Sequence, residues 1–178
     1  MKIILILLII LTGAFSIVFL IISHFRKVEK QRYIFAAGNI IKEDFLIYSL
    51  QNPMGEKDPL PVPNSKKTML YIKAKNQGQK LQLVFDPEKE ILIGRDQNNS
   101  NIYLNEVLVS QQHCCIFFRG NAVYLQDMNS SNGTYLKRGL SKSLIINGQC
   151  VQLRSGDKLL IGSNIFKVTL FYYDMALM

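Results

Sequence analysis

An apolar run from Ile3 to Ile22, relieved only by Thr12, Gly13 and Ser16, opens the chain. At about 1.5 Å of rise per residue such a run spans about 30 Å as a helix, the thickness of a bilayer's hydrocarbon core. A cleaved signal peptide would have a shorter apolar stretch ending at a small-x-small site. Here Gly13-Ala14 falls mid-run and Ser23-His24-Phe25 closes it, so the pattern predicts an uncleaved transmembrane helix over residues 1–25. From Val28 to Leu50 charged positions mix with Ile34, Phe35, Ile40, Ile41, Phe45 and Leu46, the spacing of an amphipathic helix interrupted at Gly38. That helix could continue the anchor, lie on the membrane surface or contact a partner. From Gln51 to Lys67 come Pro53, Pro59, Pro61 and Pro63, which deny the backbone both helix and ladder hydrogen bonds and predict a partly extended linker.

Beyond Thr68 the period changes to two, with β-branched and aromatic runs separated by Gly, Asn, Asp and Ser. Strands are expected at residues 69–74, 80–85, 90–93, 102–104, 113–118, 122–127, 134–136, 144–146, 150–153, 158–161 and 165–172. About eleven strands without a useful helical period argue for an all-β fold, a β-sandwich. The expected organisation is an anchor over 1–25, a juxtamembrane segment and linker over 26–67, and one folded domain over 68–178.

Charge refines this picture. The net charge is +8, divided evenly between residues 1–67 and 68–178. Arg26, Lys27, Lys30 and Arg32 follow the apolar run closely, whereas Lys2 alone precedes it, so the positive-inside rule places the C-terminal domain in the cytoplasm at the cell membrane. In the domain the bases are scattered along the chain without regular aromatic interleaving, which disfavours nucleic acid as a partner and suits an acidic ligand. Cys114, Cys115 and Cys150 are odd in number, lack CxxC spacing and sit in apolar runs where small buried residues are expected. Disulfides and zinc are disfavoured, and the folded side reads as reduced.

Four short blocks occur in order: Ile93-Gly94-Arg95, Ser110-Gln111-Gln112-His113, Asp127 to Thr134 containing Ser131-Asn132-Gly133-Thr134, and Asn147-Gly148. Each alone occurs by chance in many chains. Together with Leu153, Gly156-Asp157 and Ile161-Gly162, the ordered set resembles the signature of the forkhead-associated (FHA) domain over about residues 68–173, with the further likeness of small membrane-anchored bacterial proteins that carry one such domain. Every block falls where a strand ends and a turn begins, and such loops can converge on one rim of a sandwich. Arg95 leaves a strand end with a guanidinium suited to two phosphate oxygens. Ser110 opens a turn whose hydroxyl and N–H groups can donate to a third.

The resemblance implies further roles. Ser131 occupies the position whose hydroxyl reaches the phosphate, and Asn132 the one whose amide grips the peptide main chain. Gln111 would contribute through its backbone N–H. His113 would brace the recognition loop through its ring; the other histidine, His24, lies beside the apolar run, so the two assemble no metal set. Gly94, Gly133, Asn147 and Gly148 would be architectural. Twelve residues separate Thr134 from Asn147, a longer connection than many relatives have, and Lys137, Arg138 and Lys142 within it would either widen the electropositive rim or lie on a solvated hairpin.

The function implied is that of a membrane-anchored adaptor that binds phosphothreonine on partner proteins. Its setting would be Ser/Thr kinase signalling in bacteria, with cell division and envelope synthesis as the associated processes. No cofactor is called for, and neither a nucleophile elbow nor a Walker or Rossmann fingerprint is present to suggest an enzyme. The alternative is a membrane scaffold that uses the sandwich faces without phosphate.

Overall fold

The computed structural model describes residues 2–51, 66–76, 79–145 and 147–177. The expected Pro-rich linker falls almost wholly outside them. The chain divides into two compact units, Met1–Ala36 and Ala37–Met178.

The first unit is helical and belongs to α1 (Lys2–Gln51). Among the described residues this is the one helix long and apolar enough to cross a membrane. Its apolar side chains are exposed, Phe15 and Phe19 among them.

In the second unit, the remainder of α1 runs on without the break expected at Gly38. A glycine inside a helix costs about 1 kcal/mol relative to alanine, but packing overrides that propensity. A Cβ at Gly38 would lie 2.8 Å from the Tyr173 hydroxyl, so the residue that weakens the helix also lets its backbone approach the sheet. Ala37 and Ile41 are buried beside it, and Asp44 pairs with Lys89.

Among the described residues eleven strands form the sandwich: β1 (Lys66–Asn76), β2 (Gln79–Phe85), β3 (Ile91–Gly94), β4 (Ile102–Tyr103), β5 (Cys114–Arg119), β6 (Ala122–Asp127), β7 (Thr134–Arg138), β8 (Ser141–Ile145), β9 (Cys150–Gln152), β10 (Lys158–Ile161) and β11 (Asn164–Asp174). Strands β2-β1-β11-β10-β7-β8 make one sheet and β4-β3-β5-β6-β9 the other. Every pairing is antiparallel except β3 with β4, where Ile93 lies opposite Ile102.

The period-two pattern does what it predicts. Leu70, Ile72 and Ala74 of β1, Phe166 and Val168 of β11, and Ile116, Val123 and Leu125 of the facing sheet meet in one buried core. Removing this apolar area from water is the main force holding the two sheets together. The β7–β8 connection is the longer hairpin expected from the spacing, closed at Gly139-Leu140.

One expectation about side chains is not met: Cys150 is exposed on β9, an edge strand, while Cys114 and Cys115 are buried. Of the two readings of the Lys137, Arg138 and Lys142 segment, the wider rim does not hold for Arg138, which lies on the β7–β8 hairpin with its guanidinium forked onto the buried Asp157 carboxylate at 2.8 and 2.7 Å.

Candidate functional site

Five connections gather at one end of the sandwich: β3–β4, β4–β5, β6–β7, β8–β9 and β10–β11. Gly94 ends β3 where two chain segments nearly touch. A Cβ there would lie 2.0 Å from the Gln111 carbonyl oxygen, so only glycine lets the β4–β5 loop cross this strand end. The crossing is then closed by the backbone, with Arg95 N–H donating to Ser110 O at 2.9 Å and Asp96 N–H to Gln111 O at 3.2 Å. Arg95 is exposed, and its Nε donates to Val109 O at 3.1 Å. The side chain is thereby steered along the loop.

Ser110 links three parts of the site. Its Oγ accepts the backbone N–H of Ser131 at 3.0 Å, and its own N–H donates to His113 Nδ1 at 3.1 Å. His113 is fully buried, and its Nε2 faces the Gly133 carbonyl at 3.4 Å. A carbonyl only accepts, so Nε2 carries the proton and Nδ1 is the acceptor. Burial pushes the imidazole below its ordinary pKa, against the opposing pull of Gly133 O and the Asp127 and Glu106 charges. The ring is therefore a neutral brace between two loops.

The β6–β7 loop, which carries Ser131 and Asn132, is shaped from below by Asp127. Its Oδ1 accepts Ser130 N–H at 2.9 Å, and its Oδ2 accepts the Ser130 and Thr134 hydroxyls, each at 2.6 Å. Burial alone would raise this carboxyl, but those hydrogen bonds outweigh it and hold the pKa below the usual carboxylate value. Asn129 adopts a left-handed φ of 59°, and its Oδ1 accepts from Asn147 Nδ2 at 3.1 Å. Gly133 has a φ of 74°, and a Cβ on it would meet Leu144 at 2.5 Å. Gly148, at a φ of 78°, turns β8 into β9.

Asn132 reaches across the rim, donating from Nδ2 to Leu108 O at 2.8 Å. The structure thus brings Arg95, Ser110, Ser131 and Asn132 together, with Gln111 exposed beside them and Gly94, His113, Gly133, Asn147 and Gly148 holding the loops.

Three supporting residues are absent from the set read out of the sequence. Asp127 and Thr134 carried a local signal, because an Asp with hydroxyls three and seven positions on is Asx-turn chemistry. Glu106 carried none. It accepts from Ser163 N–H, Ser163 Oγ and Asn164 Nδ2, at 2.8, 3.0 and 2.7 Å, across more than fifty residues of chain. This ties the loop that offers the Leu108 and Val109 carbonyls to the β10–β11 turn. Among the described residues no group of His, Cys, Asp and Glu could hold a metal ion.

The family model described as "FHA domain" matches residues 91–162. The curated relative "FHA domain-containing protein FhaB" from Mycobacterium tuberculosis is 39% identical over 51 residues, which are 29% of this chain and 32% of that protein. The match thus spans about a third of the curated relative's length. Among solved structures, the chain is similar to the FHA domain of the CT664 protein from Chlamydia trachomatis, at 20% identity and a TM-score of 0.47 over 59% of this chain and 97% of that one. It is also similar to Mycobacterium tuberculosis EmbR, solved in complex with a low-affinity phosphopeptide, at 25% identity and a TM-score of 0.46 over 57% of this chain and 24% of that one. With the motif loops and their interlocking bonds in place, the segment matched by the family model is an FHA domain.

Proposed function

We propose that the protein is a membrane-anchored adaptor that binds phosphothreonine-containing proteins and performs no catalysis of its own. The observation that carries this reading is the lock between Ser110 Oγ and the Ser131 backbone N–H, which holds the two serines together on the rim where the Arg95 backbone N–H bonds Ser110 O. Because Ser110 Oγ accepts from Ser131, its own proton remains for a phosphate oxygen. Arg95 supplies a charge-assisted pair, and the Ser131 hydroxyl a further donor. Asn132 donates one of its two amide N–H groups to Leu108, which leaves the second N–H and Oδ1 to bond the peptide main chain, next to the Gln111 backbone. A threonine methyl adds about 0.8 kcal/mol if buried, so preference over phosphoserine needs a pocket that also restricts rotamers.

The apolar helix supports the anchor, with residues 1–25 spanning a cell membrane, residues 26–67 as juxtamembrane segment and linker, and 68–178 as the cytoplasmic domain. Anchoring raises the effective concentration at membrane-bound partners without a new contact. The partner would be a substrate of a Ser/Thr protein kinase in bacterial signalling, with cell division and envelope synthesis as candidate settings.

The test is titration of the full chain in detergent micelles against degenerate phosphothreonine, phosphoserine and unphosphorylated peptide libraries, repeated with Arg95→Ala. Saturable binding to the phosphothreonine set alone, abolished by the substitution, is expected. Binding that ignores phosphate would reject the adaptor reading in favour of a phosphate-independent scaffold.

A further inference from the structure

The lysines that look scattered in the sequence meet in the fold. On the six-stranded sheet, Lys73 lies opposite Lys167, Lys167 opposite Lys158, Lys158 opposite Lys137 and Lys137 opposite Lys142. Directly paired residues share a face, so five lysines cross β1, β11, β10, β7 and β8 in one row about 19 Å long, at the usual strand spacing. Lys137, Lys142, Lys158 and Lys167 are exposed. Lys142 rests over the Tyr135 ring, 4.4 Å from its centroid. Strands of this sheet contain one acidic residue, Asp174, and its register opposite Lys66 puts it on the inward-facing set.

Like charges placed directly opposite each other destabilise a sheet. An anionic surface laid on this face would offset the three pairs made by the exposed lysines, Lys167 with Lys158, Lys158 with Lys137 and Lys137 with Lys142. Beside the lysines runs a second row on the same face, Ile165, Leu160, Tyr135 and Leu144, paired in the same order. Ile165 and Leu144 are each about half exposed, and Leu140 at the adjoining hairpin turn is fully exposed. The face is thus amphipathic, with a line of ammonium groups flanked by a line of apolar and tyrosine side chains.

We propose that this outer face binds an anionic membrane surface. The row holds no arginine for bidentate phosphate contacts, and the exposed aliphatic side chains suit the boundary between headgroups and acyl chains. Several lysines presented together are attracted to acidic lipid headgroups within a Debye length of the surface. Proximity to such a surface follows from the anchor reading; the face itself is separate from the phosphopeptide rim and contains none of its residues.

The full chain is reconstituted into nanodiscs of phosphatidylcholine alone or with a third phosphatidylglycerol, and lysine acetylation rates are read by mass spectrometry. Acetylation of Lys137, Lys142, Lys158 and Lys167 is expected to slow about fivefold in the anionic discs only, with Lys66 unchanged and the protection lost at high salt. Lys158→Glu with Lys167→Glu, both exposed positions, should remove the protection of Lys137 and Lys142. Equal rates in both discs, or protection that survives the double substitution, would overturn the proposal. Stronger protection by duplex DNA in phosphatidylcholine discs would also overturn it. If the chain fails to enter discs, the anchor reading falls, and the same rates measured with preformed vesicles of both compositions decide the face by itself.

Discussion

His113 Nδ1 accepts the backbone N–H of Ser110, 3.1 Å away, from within the core. That bond exists only while Nδ1 is unprotonated, so the loop presenting Ser110 is tied to the neutral imidazole. Burial lowers the His113 pKa from its ordinary 6.5, and below that value the native state binds fewer protons than the unfolded chain. The stability this group contributes is full above pH 6.5 and is lost as pH falls through the lowered folded value. Chemical denaturation between about pH 7 and pH 5 should show stability declining by at most ~1.4 kcal/mol per pH unit from this group. His113→Asn should flatten that decline, though it starts from a less stable protein. A pH profile identical to the wild type would remove His113 as its source. Asp127, depressed in turn, acts lower, contributing stability above pH 3.8 and losing it as pH falls further.

Gly94 is fixed by sterics. A methyl group 2.0 Å from a backbone oxygen cannot be relieved by rotating a side chain, so the crossing of β3 by the Gln111 segment must open. Gly94→Ala should cost about 3 kcal/mol in urea denaturation, at the upper end for overpacking. Gly148→Ala, with open space around it and only its φ of 78° to strain, should cost about 1 kcal/mol. Equal losses at the two sites would contradict the close approach at Gly94.

Ser110 and Ser131 are separable. Ser110→Ala leaves the Ser131 N–H without its acceptor and should lower stability by about 1 kcal/mol. Ser131 contributes its backbone to that bond, so Ser131→Ala should stay within about 0.5 kcal/mol of wild type. Under the proposed function both should weaken phosphothreonine-peptide binding roughly tenfold, each by removing a hydrogen bond to a charged group. Isothermal titration beside thermal unfolding reads the two effects separately. A Ser131→Ala protein that binds normally would take its hydroxyl out of the site.

How much was legible in the sequence depends on the range of each interaction. Strands came through because period two is local: residues 122–127 and 158–161 match β6 and β10, and other ends shift by a few residues where pairing extends the ladder. Gly38 misled because helix propensity is local and the Tyr173 contact is not. The motif loops were legible as turn chemistry, and Asp127 could have been read with them. Glu106 and the lysine row were not, since their partners lie far along the chain and only strand register brings them together.

Arg138 is where range matters most, because the sequence left it between a basic rim and a solvated hairpin and gave no sign of its partner. Its guanidinium holds both oxygens of Asp157, which is only 2% exposed, and also donates to Gln152 O at 2.9 Å. Burial would raise the Asp157 carboxyl, but the Arg138 hydrogen bonds, the Arg154 backbone N–H and the arginine charges hold it below the usual value. Removing one partner of a buried pair costs about 3–5 kcal/mol, since a charge is left without compensation. Arg138 is itself 38% exposed, so water would partly replace it, and Arg138→Met should cost about 2 kcal/mol. Asp157 also ties β9–β10 to β11 through Val168 N–H, so the loss should appear as faster hydrogen exchange at Arg154 and Val168. Phosphopeptide affinity should not change, because the pair lies at the end of the sandwich away from Arg95. A fall in affinity without a fall in stability would return Arg138 to the rim.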